Sequence, residues 1–232
     1  MGHALQSVAK KSGLTVEKFD PKAKLSAKKA KGEQAVLMDF SHPSRLNLLL
    51  DFSAKNHLPL VVGTTGYSQN QMQAIKDFSC NFPVFYAANF SFSMLVFSQL
   101  VKVAATFLHD YDIEILEYHH AKKVDSPSGT AMAILSEVQA QLPHLVPVFG
   151  RGNECRVREK SHIGVNAIRC GSINGRHSVL FGGERESIEL VHNAESREIF
   201  AKGAMMAARF LADKKSGFFC MSDLIDLKIE AK

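Results

Sequence analysis

No stretch of this chain approaches the ~20 consecutive apolar residues of a bilayer-spanning helix, so a helical membrane protein is not expected. The first residues lack the apolar core and small-residue cleavage pattern of a secretory signal. Cys80, Cys155, Cys170 and Cys220 are scattered, with no C-x-x-C pair and no metal-ligand spacing. That argues against a metal centre and a disulfide framework, and for free thiols in a reducing compartment, the cytoplasm. Charge of one sign is scarce as well, the net value being +5. Residues 10–31 hold eight lysines but a single aromatic residue, Phe19, so the interleaving of a single-strand-binding surface is missing and nucleic acid is not an expected partner. The chain has no internal repeat and no low-complexity segment.

What is present is enough chain, 232 residues, for one large domain or two modest ones with a buried core. The first half alternates strands and helices. Leu14–Phe19, Ala35–Asp39, Leu58–Val62 and Pro83–Tyr86 read as short apolar strands. Ser41-His42-Pro43 opens a helix carrying Leu46, Leu49, Leu50 and Ala54 on one face, and a second helix carries Met72, Ile75 and Ser79. Apolar strands separated by helices predict a parallel sheet covered on both faces. The rhythm changes at Asn89. A long helix is expected over Ser91–His109, with Leu95, Leu100, Val103, Ala104 and Phe107 on its buried side. A strand over Asp112–Tyr118 and a helix over Thr130–Gln141 follow, then a loop over Leu142–Asn153. Strands at Val165–Cys170, His177–Phe181 and Glu186–His192, with hairpin turns at Gly171–Gly175 and Gly182–Glu184, predict a mixed second sheet. Ser196–Leu211 reads as a helix with a narrow alanine face.

The chemistry concentrates at His119-His120-Ala121-Lys122-Lys123, where a strand ends in two imidazoles and two ammonium groups. Imidazole suits proton transfer near neutral pH. Pro127-Ser128-Gly129-Thr130 then forms a hydroxyl-rich helix entrance whose free N–H groups favour an anion. Each feature alone is usually structural: a surface histidine pair, a solvated lysine pair, a helix cap. Together at a strand end they predict a site for a small acid. Gly63-Thr64-Thr65-Gly66, after an apolar strand, is a weaker signal for a nucleotide lying against backbone.

The string Glu117-x-His119-His120-x-x-Lys123-x-Asp125-x-Pro127-Ser128-Gly129-Thr130-Ala131 resembles the signature of dihydrodipicolinate reductases. Asp39-Phe40-Ser41, Gly63-Thr64-Thr65-Gly66, Ala87-Ala88-Asn89-Phe90-Ser91 and Ala194-x-x-Ser196-Arg197-x-x-Phe200-x-x-Gly203-Ala204 fall in the same family's order, so the resemblance covers nearly the whole chain. It implies a Rossmann-like nucleotide domain, residues 1–90 with 198–232, and an α+β domain with a mixed sheet, residues 91–197, that binds substrate and builds a homotetramer. A hinge near Asn89 and Arg197 would close the two together. The implied reaction is reduction of a cyclic unsaturated dicarboxylate by NADPH or NADH on the route to diaminopimelate and lysine. His119 would give the proton and Lys123 would steady the charged substrate. His120, Ser128, Gly129 and Thr130 would hold its carboxylate. Gly2, Gly63, Thr64, Thr65, Ala87, Ala88, Asn89 and Phe90 would meet the cofactor. Asp20 is placed for its adenosine ribose, or Lys22 and Lys24 for a 2′-phosphate.

Two departures from the family pattern stand out. Ala121 and Lys122 replace a common arginine and histidine, removing one anion contact. At the N-terminus Gly2 matches the last glycine of a G-x-x-G-x-x-G turn, while the first strand and two glycines have no counterpart. The chain as written is therefore expected to bind nicotinamide cofactor poorly. The alternative to an active reductase is a non-catalytic assembly subunit, or an inactive truncated form, of the same fold.

Overall fold

Leu60, Val61 and Val62 have no exposed surface, and three consecutive buried residues in a strand require cover on both faces of the sheet. The structure, a computed structural model, describes residues 1–16, 35–152 and 155–225. They divide into two compact units, Met1–Phe92 with Arg197–Lys232, and Ser93–Ser196. No helix among the described residues is long and apolar enough to cross a membrane.

In the first unit, β1 (Leu37–Asp39), β2 (Leu60–Val62), β3 (Pro83–Tyr86) and β9 (Gly217–Phe219) form a parallel sheet in that spatial order. Side chains alternate across it. Leu60, Val62 and Val84 pack with Leu46 and Leu49 of α2 (Leu46–Asn56) and Ile75 of α3 (Gln69–Ser79). On the other face Phe85 meets Phe210 of α6 (Glu198–Leu211) edge-on, ring centroids 6.0 Å apart. Helix α1 (Gly2–Lys11) packs on α6, with Lys11 3.3 Å from Glu198. Proline does open the segment before α2, in a short 3₁₀ turn at Pro43–Arg45, where the His42 ring accepts the Ser44 N–H.

The expected first strand, Leu14–Phe19, is corrected over Leu14–Val16, which is not strand; residues 17–19 lie outside the described residues, as do Asp20, Lys22 and Lys24. Here the chain closes α1 instead. Gly13 takes a left-handed φ of 68°, and the N–H groups of Leu14 and Gly13 return to the carbonyls of Ala9 and Lys10. Strand β9 and its partner β3 show that the chain re-enters this sheet after α6, a three-residue element too short to be read from sequence.

In the second unit, β4 (Asp112–His119) lies at the centre of a five-stranded sheet. The order is β5 (Val146–Phe149), β6 (His162–Arg169), β4, β7 (Arg176–Gly182), β8 (Ser187–Asn193). The β5–β6 and β4–β6 pairs are parallel, β4–β7 and β7–β8 antiparallel. One face is covered by α4 (Phe92–Phe107) and α5 (Gly129–Gln141), which enclose Ile113, Ile115, Ile163, Val165, Val179 and Phe181.

Three expectations change in this unit. The buried side of α4 is Met94, Phe97, Val101 and Ala105, whereas Leu100, Val103 and Phe107 are exposed. This helix is apolar almost all round, so periodicity could not choose its face. Residues 142–153 are not all loop: β5 includes Pro147, which a sheet edge tolerates. Gly171–Gly175 is not a hairpin turn, because β4 lies between β6 and β7; the Gly182–Glu184 turn does join paired strands.

Glycine is required at one close approach in α6. A Cβ on Gly203 would stand 1.7 Å from the Phe90 carbonyl oxygen. Gly203→Ala should therefore lower stability by ~1–3 kcal/mol through overpacking. Urea unfolding reads this directly, and an unchanged midpoint would mean that α6 shifts at no cost.

Candidate active site

Strand β4 builds the site because its alternation continues past its apolar part. Ile113 and Ile115 face the helices, and the same phase turns Glu117 and His119 inward. Glu117 has no exposed surface and would be prohibitively costly as an unpaired charge. It is fully partnered. Its Oε2 lies 2.5 Å from His119 Nδ1 and accepts Arg169 Nη1 at 2.9 Å. Its Oε1 accepts Arg169 Nη2 at 2.7 Å and the Ser128 N–H at 2.9 Å. Burial alone would raise the Glu117 carboxyl, but the bonds from Arg169, His119 and Ser128 outweigh it and hold the group below the usual carboxylate range.

The Ser128 hydroxyl caps α5 by accepting the Ala131 N–H, and lies 3.1 Å from His177 Nε2. His177 stands edge-on to His119, ring centroids 5.2 Å apart, and its Nδ1 is buried without a hydrogen-bond partner. The Nε2 atom of His119 faces Gly175, where an added Cβ would lie 3.1 Å away. Lys123 Nζ is 2.7 Å from Asp125 Oδ1, and this bond, with smaller help from the Gly129 N–H, lowers the Asp125 carboxyl. His120 is half-buried, Gly129 exposed and Thr130 half-buried at the first turn of α5.

The structure thus brings His119, Lys123 and Ser128–Thr130 to one end of the second unit's sheet. The Ser128 N–H, expected to face an incoming anion, is already bonded to Glu117. Glu117, Arg169 and His177 complete the group although the sequence reading assigns them no role. One signal was available: an inward-phased glutamate in a strand whose other inward residues are Ile113, Ile115 and His119. Arg169 and His177 come from β6 and β7 and carry no local mark.

In the first unit, the loops after β1, β2 and β3 hold the other candidates. Asp39 is their hub. It accepts the hydroxyls of Thr64 at 2.6 Å, Ser41 at 2.5 Å and Tyr67 at 3.3 Å, and Thr64 Oγ1 accepts the Ser41 N–H. Burial, with the Asp39 charge, pushes the Tyr67 phenol up. The Thr64 hydroxyl is therefore engaged internally. Gly63 sits against the Phe40 ring, Ala87 and Phe90 are buried, and the Asn89 side chain accepts the Ser91 N–H. Thr65 and Ala88 are exposed, and a Cβ at Gly66 would meet only Pro43, at 3.9 Å. Gly2 opens α1, whose first turn has no side-chain cap and no acid. Open main chain after parallel strands and an uncapped helix start fit a dinucleotide lying against backbone.

Burial first, then the nearby His119, lowers the His177 pKa to about 4. An unfolded histidine titrates near ~6.5. Between those values the unfolded chain binds a proton that the folded chain refuses, so this stability is complete above ~6.5 and lost as pH falls toward ~4. The loss from this group is roughly 3 kcal/mol. Glu117 acts separately: its stabilisation is present above the unfolded carboxylate pKa of ~4.3 and disappears as pH falls through its lower folded value. Melting temperature should accordingly drop less for His177→Gln than for wild type between about pH 7 and about pH 4.5. Parallel curves would show that His177 is not held neutral.

The family model described as dihydrodipicolinate reductase, N-terminus, matches residues 2–90, and that described as dihydrodipicolinate reductase, C-terminus, matches residues 93–225. A 4-hydroxy-tetrahydrodipicolinate reductase of Clostridium novyi is 44% identical over 195 residues, 83% of this chain and 77% of that protein. One from Brachyspira hyodysenteriae is 40% identical over 190 residues, 82% of each. Among solved structures, a dipicolinate-bound dihydrodipicolinate reductase from Paenisporosarcina sp. TG-14 shares the fold at a TM-score of 0.66 and 24% identity, covering 82% of this chain and 73% of that one. Matched along both units and closely related in sequence to these reductases, the chain belongs to the dihydrodipicolinate reductase family.

Proposed function

We infer that this protein is an oxidoreductase that reduces a cyclic unsaturated dicarboxylate of the dihydrodipicolinate type to tetrahydrodipicolinate, in diaminopimelate and lysine biosynthesis. Membership of the family supports the reaction, and the buried Glu117–His119 pair beside the α5 entrance supports the site. No observation favours the non-catalytic alternative.

In this reading a substrate carboxylate seats at the first turn of α5, on Gly129, Thr130 and His120. The Ser128 N–H contributes indirectly, by tying the helix entrance to Glu117. Asp125 keeps the Lys123 ammonium in place, and an incoming carboxylate competes with Asp125 for it. His119 then delivers a proton to the electron-rich substrate, while Lys123 steadies the developing charge. A nicotinamide cofactor, NADPH or NADH, supplies hydride when bound. Main chain at Gly63, Thr65, Gly66 and Ala88, with the α1 start at Gly2, would hold it, and Asp39 would fix the Gly63–Thr64 turn through the Thr64 hydroxyl. The four cysteines are free thiols, which suits the cytoplasm.

A homotetramer is the assembly we propose. Leu116, Tyr118, Ile168, Leu180 and Val191 share the sheet face opposite α4 and α5, by the register of β4, β6, β7 and β8. Of these, Ile168 is 37% and Val191 41% exposed, and the same face carries Glu114, Arg176 and Glu189, a mixed apolar and charged surface that a second copy could cover. Sedimentation equilibrium should give four chains per particle. A monomer at micromolar concentration would remove this assembly.

Steady-state kinetics with NADPH and with NADH test the reaction. His119→Gln should lower turnover by ~10²-fold or more with KM little changed; turnover within about threefold of the parent would sink the proton-donor assignment. A Cβ at Gly129 meets nothing within 4 Å, so Gly129→Ala should fold normally and act on substrate binding, raising KM more than it lowers kcat.

A further inference from the structure

Glu117 carries a negative charge at zero exposure, and its position does more than conceal it. Both oxygens are occupied: Oε1 by Arg169 Nη2 and the Ser128 N–H, Oε2 by Arg169 Nη1 and His119 Nδ1. An arginine fork gripping both oxygens requires an ionised, acceptor-only carboxylate. The shared hydrogen between Glu117 and His119 therefore belongs to the ring. The ring is also held in place. A half-turn about its long axis would take Nδ1 away from Oε2, and His177 stands edge-on beside it. At the opposite corner, Nε2 faces Gly175, which has no side chain to cover it.

We propose that Glu117, clamped by Arg169, is the positioning residue that makes Nδ1 the hydrogen-bearing nitrogen of neutral His119, leaving Nε2 as the atom that takes up and delivers the reaction proton. This rests on the reading of His119 as proton donor. In the delivering state the ring is an imidazolium with hydrogen on both nitrogens. The proton leaves Nε2, the N–H bonding pair becomes the Nε2 lone pair, and Glu117 keeps its charge throughout. No proton passes to Glu117. The same carboxylate holds the Ser128 N–H, so it fixes the α5 entrance relative to the ring. Other groups near the ring have different tasks: Lys123 is paired with Asp125, and His177 is neutral and bonded to Ser128.

The decisive measurement is the tautomer of His119 in ligand-free full-length protein, read from ¹⁵N chemical shifts of the imidazole at a pH where the ring is neutral. Wild type should carry hydrogen on Nδ1. In Glu117→Gln the single amide oxygen stays with Arg169 and the NH₂ turns to the ring, so hydrogen should move to Nε2. The matching kinetic expectation is a fall in kcat of ~10²-fold or more, as when a carboxylate orienting a catalytic histidine becomes an amide, with KM within about threefold. Glu117→Asp, which keeps the charge, should restore the Nδ1 hydrogen and part of kcat. Arg169→Gln, at a side chain 19% exposed, loosens the clamp without altering β4. It should raise the population of the Nε2–H form and lower kcat about tenfold, and it serves in place of Glu117→Gln if the buried amide prevents folding. Hydrogen on Nε2 in wild type would overturn the proposal, as would an unchanged tautomer in both Glu117→Gln and Arg169→Gln. Failure of the parent reading is distinguishable: the tautomer would respond as expected while His119→Gln kept full turnover, and Glu117 would then order a ring that donates no proton.

Discussion

The second unit depends on keeping one ionised carboxylate out of water. Isolated, the Glu117 charge would cost far more than a domain's whole stability margin. The fold answers with donors from three places: the ring of His119 two residues on, the guanidinium of Arg169 from the adjacent parallel strand, and the amide of Ser128 at the start of α5. None of these is adjacent in sequence except His119. The carboxylate therefore ties β4, β6 and α5 together in one register, and the candidate site sits where they meet. Replacing Glu117 by an apolar residue would ease burial yet leave the Arg169 fork without its main partner, which is the costly way to break such a pair.

A second carboxylate organises the first unit in a different manner. Asp39 ends a strand of only three residues, and its hydroxyl partners come from Ser41, Thr64 and Tyr67. Short parallel strands contribute few ladder hydrogen bonds, so side chains reinforce the backbone bond from the Gly63 N–H to the Asp39 carbonyl at the ends of β1 and β2. The Gly63–Gly66 turn is fastened on its Thr64 side and left open on its Thr65 and Gly66 side. That division fits a loop that must hold its shape while offering backbone to a ligand.

Much of this was legible in the sequence because local rules and the fold agree. Continuous apolar runs marked β2 and β3, and Pro43 and Ser128 marked helix starts; imidazole beside a hydroxyl-rich cap marked residues that the fold does bring together as a candidate site. The failures have separate physical causes. Helix α4 has apolar residues on all sides, so its pattern holds no information about which side meets the sheet. Strand β5 is an edge strand with a proline, a composition that also makes good loop. The insertion of β4 between β6 and β7 is a matter of chain topology, to which turn residues are blind. Arg169 and His177 lie some fifty residues or more from His119 in sequence, and only the sheet brings Arg169 to Glu117 and His177 to the His119 ring.

Gly175 has a consequence for handedness. The Nε2 of His119 looks onto this glycine, and its ring is pinned at the other nitrogen. On the proposed role of His119, a proton leaving Nε2 would start from a nearly fixed atom, beside backbone and not beside a mobile side chain. A planar acceptor presented to that atom shows one of its two sides. With the substrate held in one orientation, the proposed reaction would then be stereospecific, a deuteron drawn from heavy water finishing on a single face of the product ring.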